Sequence, residues 1–244
     1  MKKLVFQVDI PGPEGFTLLS HNTPIYKHSK EKAQKYAKRV KADYLCLNDN
    51  RFVPEYAAHF QKFAIIDPYF SKYDMILWMD SDLIFYDHTP DLFVFAKDRD
   101  ELFFANMEDH MSRITLLPNY FNSGLMLFKR EMINQLSNWE EVYKVNKYFK
   151  SKLGEQHCFN KIVYDYHPDY FKLSRHFNSN GQTSRYYSIH FTGIGKKLYS
   201  PEKFEKWEQR ALNIFNTLGD EEIYHSFFEW RPVAPLEKNR KKLF

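Results

Sequence analysis

Short apolar runs recur along the first third of the sequence at the length of buried strands. They are Leu4–Val8, Tyr44–Leu47 and Met75–Met79, and polar or charged residues follow each of them. Continuous apolar runs of this length are typical of strands buried on both faces. The pattern therefore predicts three interior strands before residue 80.

Amphipathic segments separate these runs. Ser29 is placed to cap a helix, and its apolar stripe comprises Ala33, Tyr36, Ala37 and Val40. Pro54 is placed to open a second helix, which carries Tyr56, Ala57, Phe60, Phe63 and Ala64. The alternation of strands and helices predicts an α/β fold, with a mostly parallel central sheet flanked by helices.

The later part of the chain is more mixed. The predicted strands are Phe121–Phe128 and Tyr187–Phe191, and the predicted helices are Glu131–Val145, Glu155–Val163 and Pro201–Leu218. With no internal repeat or long linker, residues 1–218 are expected to form one domain and residues 219–244 an appendage. Basic residues are concentrated near its end, which predicts a solvated tail or, alternatively, contact with an anionic membrane surface.

Composition narrows the class of protein. Of 244 residues, 43% are apolar and 18% aromatic, which excludes a disordered chain. A net charge of +4 gives no indication of a nucleic-acid partner. Two cysteines cannot build a disulfide framework, and the apolar run after Lys3 is too short for a signal peptide, so a cytoplasmic location is expected.

Two carboxylates follow the third predicted strand directly. Asp80 and Asp82 lie between Met75–Met79 and the apolar run Leu83–Phe85. Carboxylates brought to the edge of an apolar layer suit a hard divalent cation, although a pair of turn or helix-capping carboxylates is the simpler alternative. The second such tripeptide, Asp98-Arg99-Asp100, has charged neighbours and predicts a solvated turn.

Five blocks carry a family resemblance, in the same order along the chain. They are Lys62-Phe63, Tyr73–Asp82, Tyr120–Leu127, Glu155-Gln156, and His190–Gly193 with Lys196. Together they resemble the signature blocks of GT-A-fold glycosyltransferases, most closely the retaining glycogenin and lipopolysaccharide galactosyltransferase family (family 8). The resemblance covers about the first 200 residues.

The resemblance implies a metal site and a phosphate site. Asp80, Asp82 and His190 would bind Mn²⁺, with Mg²⁺ as the alternative, because imidazole favours the softer ion. Lys62 and Lys196 would contact the donor diphosphate, and Ser81 and Gly193 are further expected substrate-binding residues of the same blocks.

It also implies a donor-sugar site. Asn122 and Gly124 would lie beside the sugar, although a strand bulge at Gly124 is an alternative. Glu155 stands where the family has Asp, followed by Gln156 near the anomeric carbon, and Asp109 is a further sugar-contacting acid. Aromatic rings near these blocks are expected to form walls of the cleft, namely Tyr120, Phe121, Tyr186, Tyr187 and Phe191.

The implied activity is sugar transfer from a nucleotide sugar, expected to be a UDP-sugar, to an acceptor hydroxyl with retention of configuration. The acceptor would be a glycan, glycoprotein or glycolipid. Two alternatives share the α/β layout: a sugar-nucleotide pyrophosphorylase and a non-catalytic nucleotide-sugar-binding protein. Only the transferase and the pyrophosphorylase would turn over the donor.

Overall fold

The structure is a computed structural model that describes residues 1–10, 24–53, 55, 58–107, 120–145, 154–166, 170–180, 187–191 and 199–219. Within these ranges, six strands form the central sheet in the order β2-β1-β3-β6-β5-β7. The strands are β1 (Lys3–Val8), β2 (Asp43–Leu47), β3 (Met75–Met79), β5 (Phe103–Met107), β6 (Phe121–Lys129) and β7 (Tyr170–Leu173).

The central sheet is mainly parallel. β1 pairs in parallel with both β2 and β3, and β5 pairs in parallel with β7. β6 runs antiparallel to its two neighbours, β3 and β5, so it alone is reversed among the described strands of this sheet. The predicted fold class, α/β with a mostly parallel sheet flanked by helices, is confirmed.

Helices cover both faces of this sheet. One face packs against a 3₁₀ helix (Ala58–Ile66) and three α-helices, and the other against two α-helices. In chain order these are α1 (Pro24–Arg39) and α2 (Leu92–Lys97) on one face, and α3 (Arg130–Gln135), α4 (Trp139–Val145) and α5 (Gly154–Tyr166) on the other. The strands are buried because apolar side chains from both layers meet them.

A second, three-stranded sheet begins just beyond the carboxyl end of β3. It has the order β4-β9-β8 and consists of β4 (Leu83–Phe85), β8 (Ser179–Asn180) and β9 (Ser188–His190). A third apolar cluster joins it to α6 (Pro201–Phe215). β4 begins immediately after Asp82 and pairs Leu83 with His190, so this sheet brings two distant blocks of the sequence together.

Three helix predictions need correction. α1 begins at Pro24, so Ser29 is not its cap; the buried Ser29 hydroxyl instead donates to Leu83 O at 2.6 Å. The described part of the helix predicted from Pro54 is 3₁₀ rather than α. The helix predicted over Glu131–Val145 is two helices, because residues 136–138 form a turn between α3 and α4.

Several elements were not predicted, including β5, β7 and α2. Asp98 is the C-cap residue of α2, in agreement with the turn predicted there. Residues 220–244 lie outside the described residues, so the predicted appendage stays a prediction. No helix among the described residues is both long and apolar enough to cross a membrane.

Candidate active site

Asp80 and Asp82 lie in a tight turn at the carboxyl end of β3. The Asp80 N–H donates to Gly124 O on β6 at 2.8 Å, and the Leu83 N–H donates to Asp80 O at 3.0 Å. The turn places Ser81 between the two carboxylates. Ligands of α/β sheets bind beyond the carboxyl ends of the strands, so this is the expected edge for a site.

His190 completes a group of three candidate metal ligands. Its Nε2 lies 3.0 Å from Asp82 Oδ1 and 3.6 Å from Asp80 Oδ2. One ligand atom from each of the three residues lies within 4.8 Å of the other two. Two carboxylate oxygens and one imidazole nitrogen converging in this way fit a divalent cation such as Mn²⁺.

The charge of the site supports the same fit. Burial disfavours the charged imidazolium, but the carboxylates of Asp82 and Asp80 together outweigh burial, so the pKa of His190 lies above its ordinary value. Among the described charged side chains around Asp80, the acids Asp80, Asp82 and Glu155 face one lysine, Lys62. With His190 neutral, two negative charges remain, and a divalent cation would balance them.

Gly124 provides the space for the His190 ring. A Cβ on Gly124 would lie 2.3 Å from His190 Cε1 and 2.8 Å from its Nδ1, closer than any side chain tolerates. β6 also bulges here, since the ladder steps from Ala105↔Met126 to Asn106↔Asn122. The glycine is therefore needed for the close approach of strand and imidazole, and its contact with a donor sugar stays a prediction.

Two asparagine side chains, Asn178 and Asn122, connect His190 to the backbone of β6 on the side of the ring away from the carboxylates. His190 Nδ1 lies 2.8 Å from Asn178 Oδ1, and Asn178 Nδ2 donates to Asn122 Oδ1 at 2.9 Å. The Gly124 N–H donates to the same Asn122 oxygen at 2.8 Å. Asn178 was missed in the sequence because it belongs to none of the five blocks and reaches His190 only through the pairing of β8 with β9.

Lys62 occupies the opposite side of Asp80, where it is 3% exposed. Its Nζ lies 3.1 Å from Asp80 Oδ1 and 3.2 Å from Glu155 Oε1, and it donates to Ser123 Oγ at 2.9 Å. Burial lowers the pKa of Lys62, but Asp80 and Glu155 outweigh it and the net shift is upward. Burial alone would raise the pKa of Glu155. The charge of Lys62 opposes burial, and the net pKa of Glu155 lies below its ordinary value.

Gln156 is held against the bulged strand. Its Oε1 accepts the Ser123 N–H at 3.0 Å, and the side chain is buried at the start of α5. Asn160, one turn later, donates to Phe121 O and accepts the Phe121 N–H. These bonds fix α5 to β6, and with it the positions of Glu155 and Gln156.

The structure therefore brings together all nine of the predicted catalytic, substrate-binding and metal-binding residues that it describes. One cluster contains Lys62, Asp80, Ser81, Asp82, Asn122, Gly124, Glu155, Gln156 and His190. Asp109, Gly193 and Lys196 lie outside the described residues, as does Tyr186. The expected stacking role of the other rings is wrong, because all four are core residues at most 1% exposed, namely Tyr120, Phe121, Tyr187 and Phe191.

Comparison by sequence gives no relatives. No protein-family model matches the chain. No curated protein matches it at a significant level.

Comparison by structure gives many matches. A glycosyltransferase involved in the glycosylation of the major capsid of PBCV-1 matches with a TM-score of 0.59 and 13% identity, over 87% of this chain and 100% of that one. GlyE of Streptococcus pneumoniae TIGR4 matches at 0.55 and 15%, over 88% and 63%. The galactosyltransferase LgtC matches at 0.52 and 13%, over 91% and 99%.

At these identities the likeness concerns the fold. The mainly parallel central sheet flanked by helices matches the fold of these solved glycosyltransferases over 87–91% of this chain. The protein has the GT-A glycosyltransferase fold and resembles family 8 members of that fold.

Proposed function

We propose that this protein is a metal-dependent glycosyltransferase that moves a sugar from a nucleotide sugar, most simply a UDP-sugar, to an acceptor hydroxyl. The observation that carries the proposal is the convergence of Asp80, Asp82 and His190 at the carboxyl end of β3 on a GT-A fold. Mn²⁺ is the proposed ion. Bound there, it would supply Lewis-acid stabilisation of the leaving diphosphate.

The protein's own groups are proposed to divide the remaining work. Asp80, Asp82 and His190 Nε2 would hold the ion, and Lys196 would add a positive charge near the phosphates. Lys62 is enclosed by Asp80, Glu155 and Ser123, and these contacts favour a role in fixing both carboxylates over a direct reach to the phosphates. Glu155 and Asn122 would then bind hydroxyls of the donor sugar.

Retention of configuration is part of the proposal. The Gln156 carbonyl oxygen already accepts the Ser123 N–H, which favours a positioning role for Gln156 over attack by that oxygen on the anomeric carbon. Transfer on one face of the sugar, with the leaving phosphate taking the proton of the acceptor hydroxyl, is consistent with this contact. Asp109 stays a candidate sugar-contacting acid.

The test is a screen of nucleotide sugars for Mn²⁺-dependent release of nucleoside diphosphate, with and without glycan, glycoprotein or glycolipid acceptors. We expect turnover that a chelator abolishes and that Asp82→Asn lacks. Release of nucleoside triphosphate from donor plus pyrophosphate would instead identify a pyrophosphorylase. Mn²⁺-linked UDP binding with no turnover of any donor would identify a binding protein, and either result would contradict the proposal.

A further inference from the structure

The hydrogen bonds around His190 determine which of its ring nitrogens carries a proton. The Gly124 backbone N–H can only donate, so the Asn122 atom that it contacts at 2.8 Å must be the amide oxygen. That oxygen can only accept, so the Asn178 atom 2.9 Å away must be the amide nitrogen. The other Asn178 atom, its oxygen, therefore faces His190 Nδ1 at 2.8 Å.

An amide oxygen opposite Nδ1 requires a proton on Nδ1. The other nitrogen, Nε2, lies 3.0 Å from Asp82 Oδ1 and 3.6 Å from Asp80 Oδ2. A carboxylate oxygen can only accept, so without a metal ion Nε2 carries a proton as well. A metal ion bound by the two carboxylates would replace the Nε2 proton, while the Nδ1–H stays bonded to Asn178.

Backbone contacts hold both Asn178 and the His190 ring in place. Asn178 directly precedes β8, which pairs in parallel with β9 and aligns Asn180 with His190. The Ser188 hydroxyl donates to Phe177 O, which fixes the chain next to Asn178. Gly124 has no side chain, which leaves room for the His190 ring against β6.

We infer that Asn178 is a positioning residue: linked through Asn122 to the Gly124 N–H, it accepts the His190 Nδ1–H and so holds Nε2 in place for a metal ion. The role in metal binding rests on the function proposed above, whereas the Nδ1–H bond does not. Partners of this kind, on the far side of a metal-binding histidine, typically change metal affinity by about 10–100-fold when removed.

The test uses the full chain in three variants. Asn178→Ala removes the acceptor of the Nδ1–H bond, and Asn178→Asp keeps a carboxylate oxygen there. Tyr36→Phe is the matched control, because it also removes a side-chain group that makes two hydrogen bonds, to Pro90 O and from the Leu92 N–H, but on α1. Mn²⁺ dissociation constants come from electron paramagnetic resonance titrations without nucleotide.

Asn178→Ala should weaken Mn²⁺ binding by about 10–100-fold, while Asn178→Asp and Tyr36→Phe stay close to wild type. Proton–nitrogen NMR of the metal-free protein, recorded below about pH 6.5 and assigned with His190→Asn, should show a hydrogen-bonded Nδ1–H in wild type that exchanges slowly with solvent. In Asn178→Ala that proton should exchange faster, because its acceptor is gone.

Two results would overturn the inference: an Asn178→Ala variant that binds Mn²⁺ as tightly as wild type, or a wild-type His190 protonated on Nε2 alone. The NMR measurement on wild type decides the second point even if Asn178→Ala does not fold. A wild-type protein with a hydrogen-bonded Nδ1–H but no Mn²⁺ binding would contradict the proposed function and leave the hydrogen-bond assignment supported.

Discussion

The two sides of the Asp80 carboxylate differ in the kind of charge they meet. On one side, Oδ1 lies 3.1 Å from Lys62 Nζ and accepts the Trp78 Nε1–H at 2.9 Å. On the other side, Oδ2 lies 3.6 Å from His190 Nε2. Lys62 keeps its charge because its pKa is raised, whereas an imidazole can exchange its proton for a metal ion.

This difference separates the stability of the fold from the chemistry of the site. On the Lys62 side, the protein supplies its own counter-charge, so the pairs with Asp80 and Glu155 stabilise the folded chain. On the His190 side, the counter-charge is a proton or an added ion. Variants on the first side should therefore change the free energy of unfolding, and variants on the second should change ion binding.

The largest effect is expected for Lys62→Met. It leaves Asp80 and Glu155 without their cation, and breaking a buried pair costs about 3–5 kcal/mol. Urea unfolding of the metal-free protein measures this. Lys144→Met is the matched control, since Lys144 pairs with Glu140 at an exposed surface where a pair contributes about 0–1 kcal/mol. Equal losses for both variants would remove the distinction between the two sides.

Asp82→Asn should weaken Mn²⁺ binding strongly and change the free energy of unfolding little. The amide no longer offers an anionic ligand, so Mn²⁺ affinity and Mn²⁺-dependent turnover should fall by at least about 100-fold, above the range seen for supporting residues. Unfolding should change much less than in Lys62→Met. Asp98→Asn, in the other Asp-x-Asp tripeptide, should match wild type in both assays. Unchanged Mn²⁺ affinity in Asp82→Asn would show that the ligand set is wrong.

Gly124→Ala tests the space beside His190. The added methyl would lie 2.3 Å from His190 Cε1, so the ring must shift, and overpacking of this kind costs about 1–3 kcal/mol. Mn²⁺ affinity measured by calorimetry should fall by a comparable free energy. A crystal structure of the variant with the ring in its original place and unchanged affinity would contradict this account.

The smallest effect is a pH dependence with opposite signs for stability and ion binding. The folded-state pKa of His190 is raised above its ordinary 6.5, so its stabilising contribution is complete below about 6.5 and is lost as pH rises through the folded value. Mn²⁺ must displace that proton, so its affinity should rise over the same window, by at most about tenfold per pH unit. His190→Gln should remove both trends, and their persistence would assign them to another group.

The sequence indicated the three parallel strands β1, β2 and β3 better than the strands that follow them. β1, β2 and β3 are continuous apolar runs, so their burial could be read directly, and Asp80 and Asp82 followed from the end of β3. β5 was missed because Phe103–Met107 is a short apolar run without a period that separates strand from helix. The Ser29 hydroxyl bonds to Leu83, 54 positions away, and local capping rules cannot show this.

In the candidate site, the sequence predicted the metal ligands better than the residues that orient them. Its ligands lie in blocks whose order resembles a known family, and the structure brings Asp80, Asp82 and His190 together. The partners that orient those ligands were not predicted. Asn178 depends on the pairing of a two-residue strand, and Lys62 is held by Ser123 and Glu155, 61 and 93 positions away, so neither leaves a local pattern in the sequence.

The most direct measurement is anomalous diffraction at the manganese edge from crystals of the full chain grown with Mn²⁺ and UDP. The account predicts a strong anomalous peak bounded by Asp80, Asp82 and His190 Nε2, with the diphosphate in contact with it and Lys62 still paired with Glu155. A peak at any other position, or diphosphate bound with no anomalous peak between these three residues, would contradict the central claim.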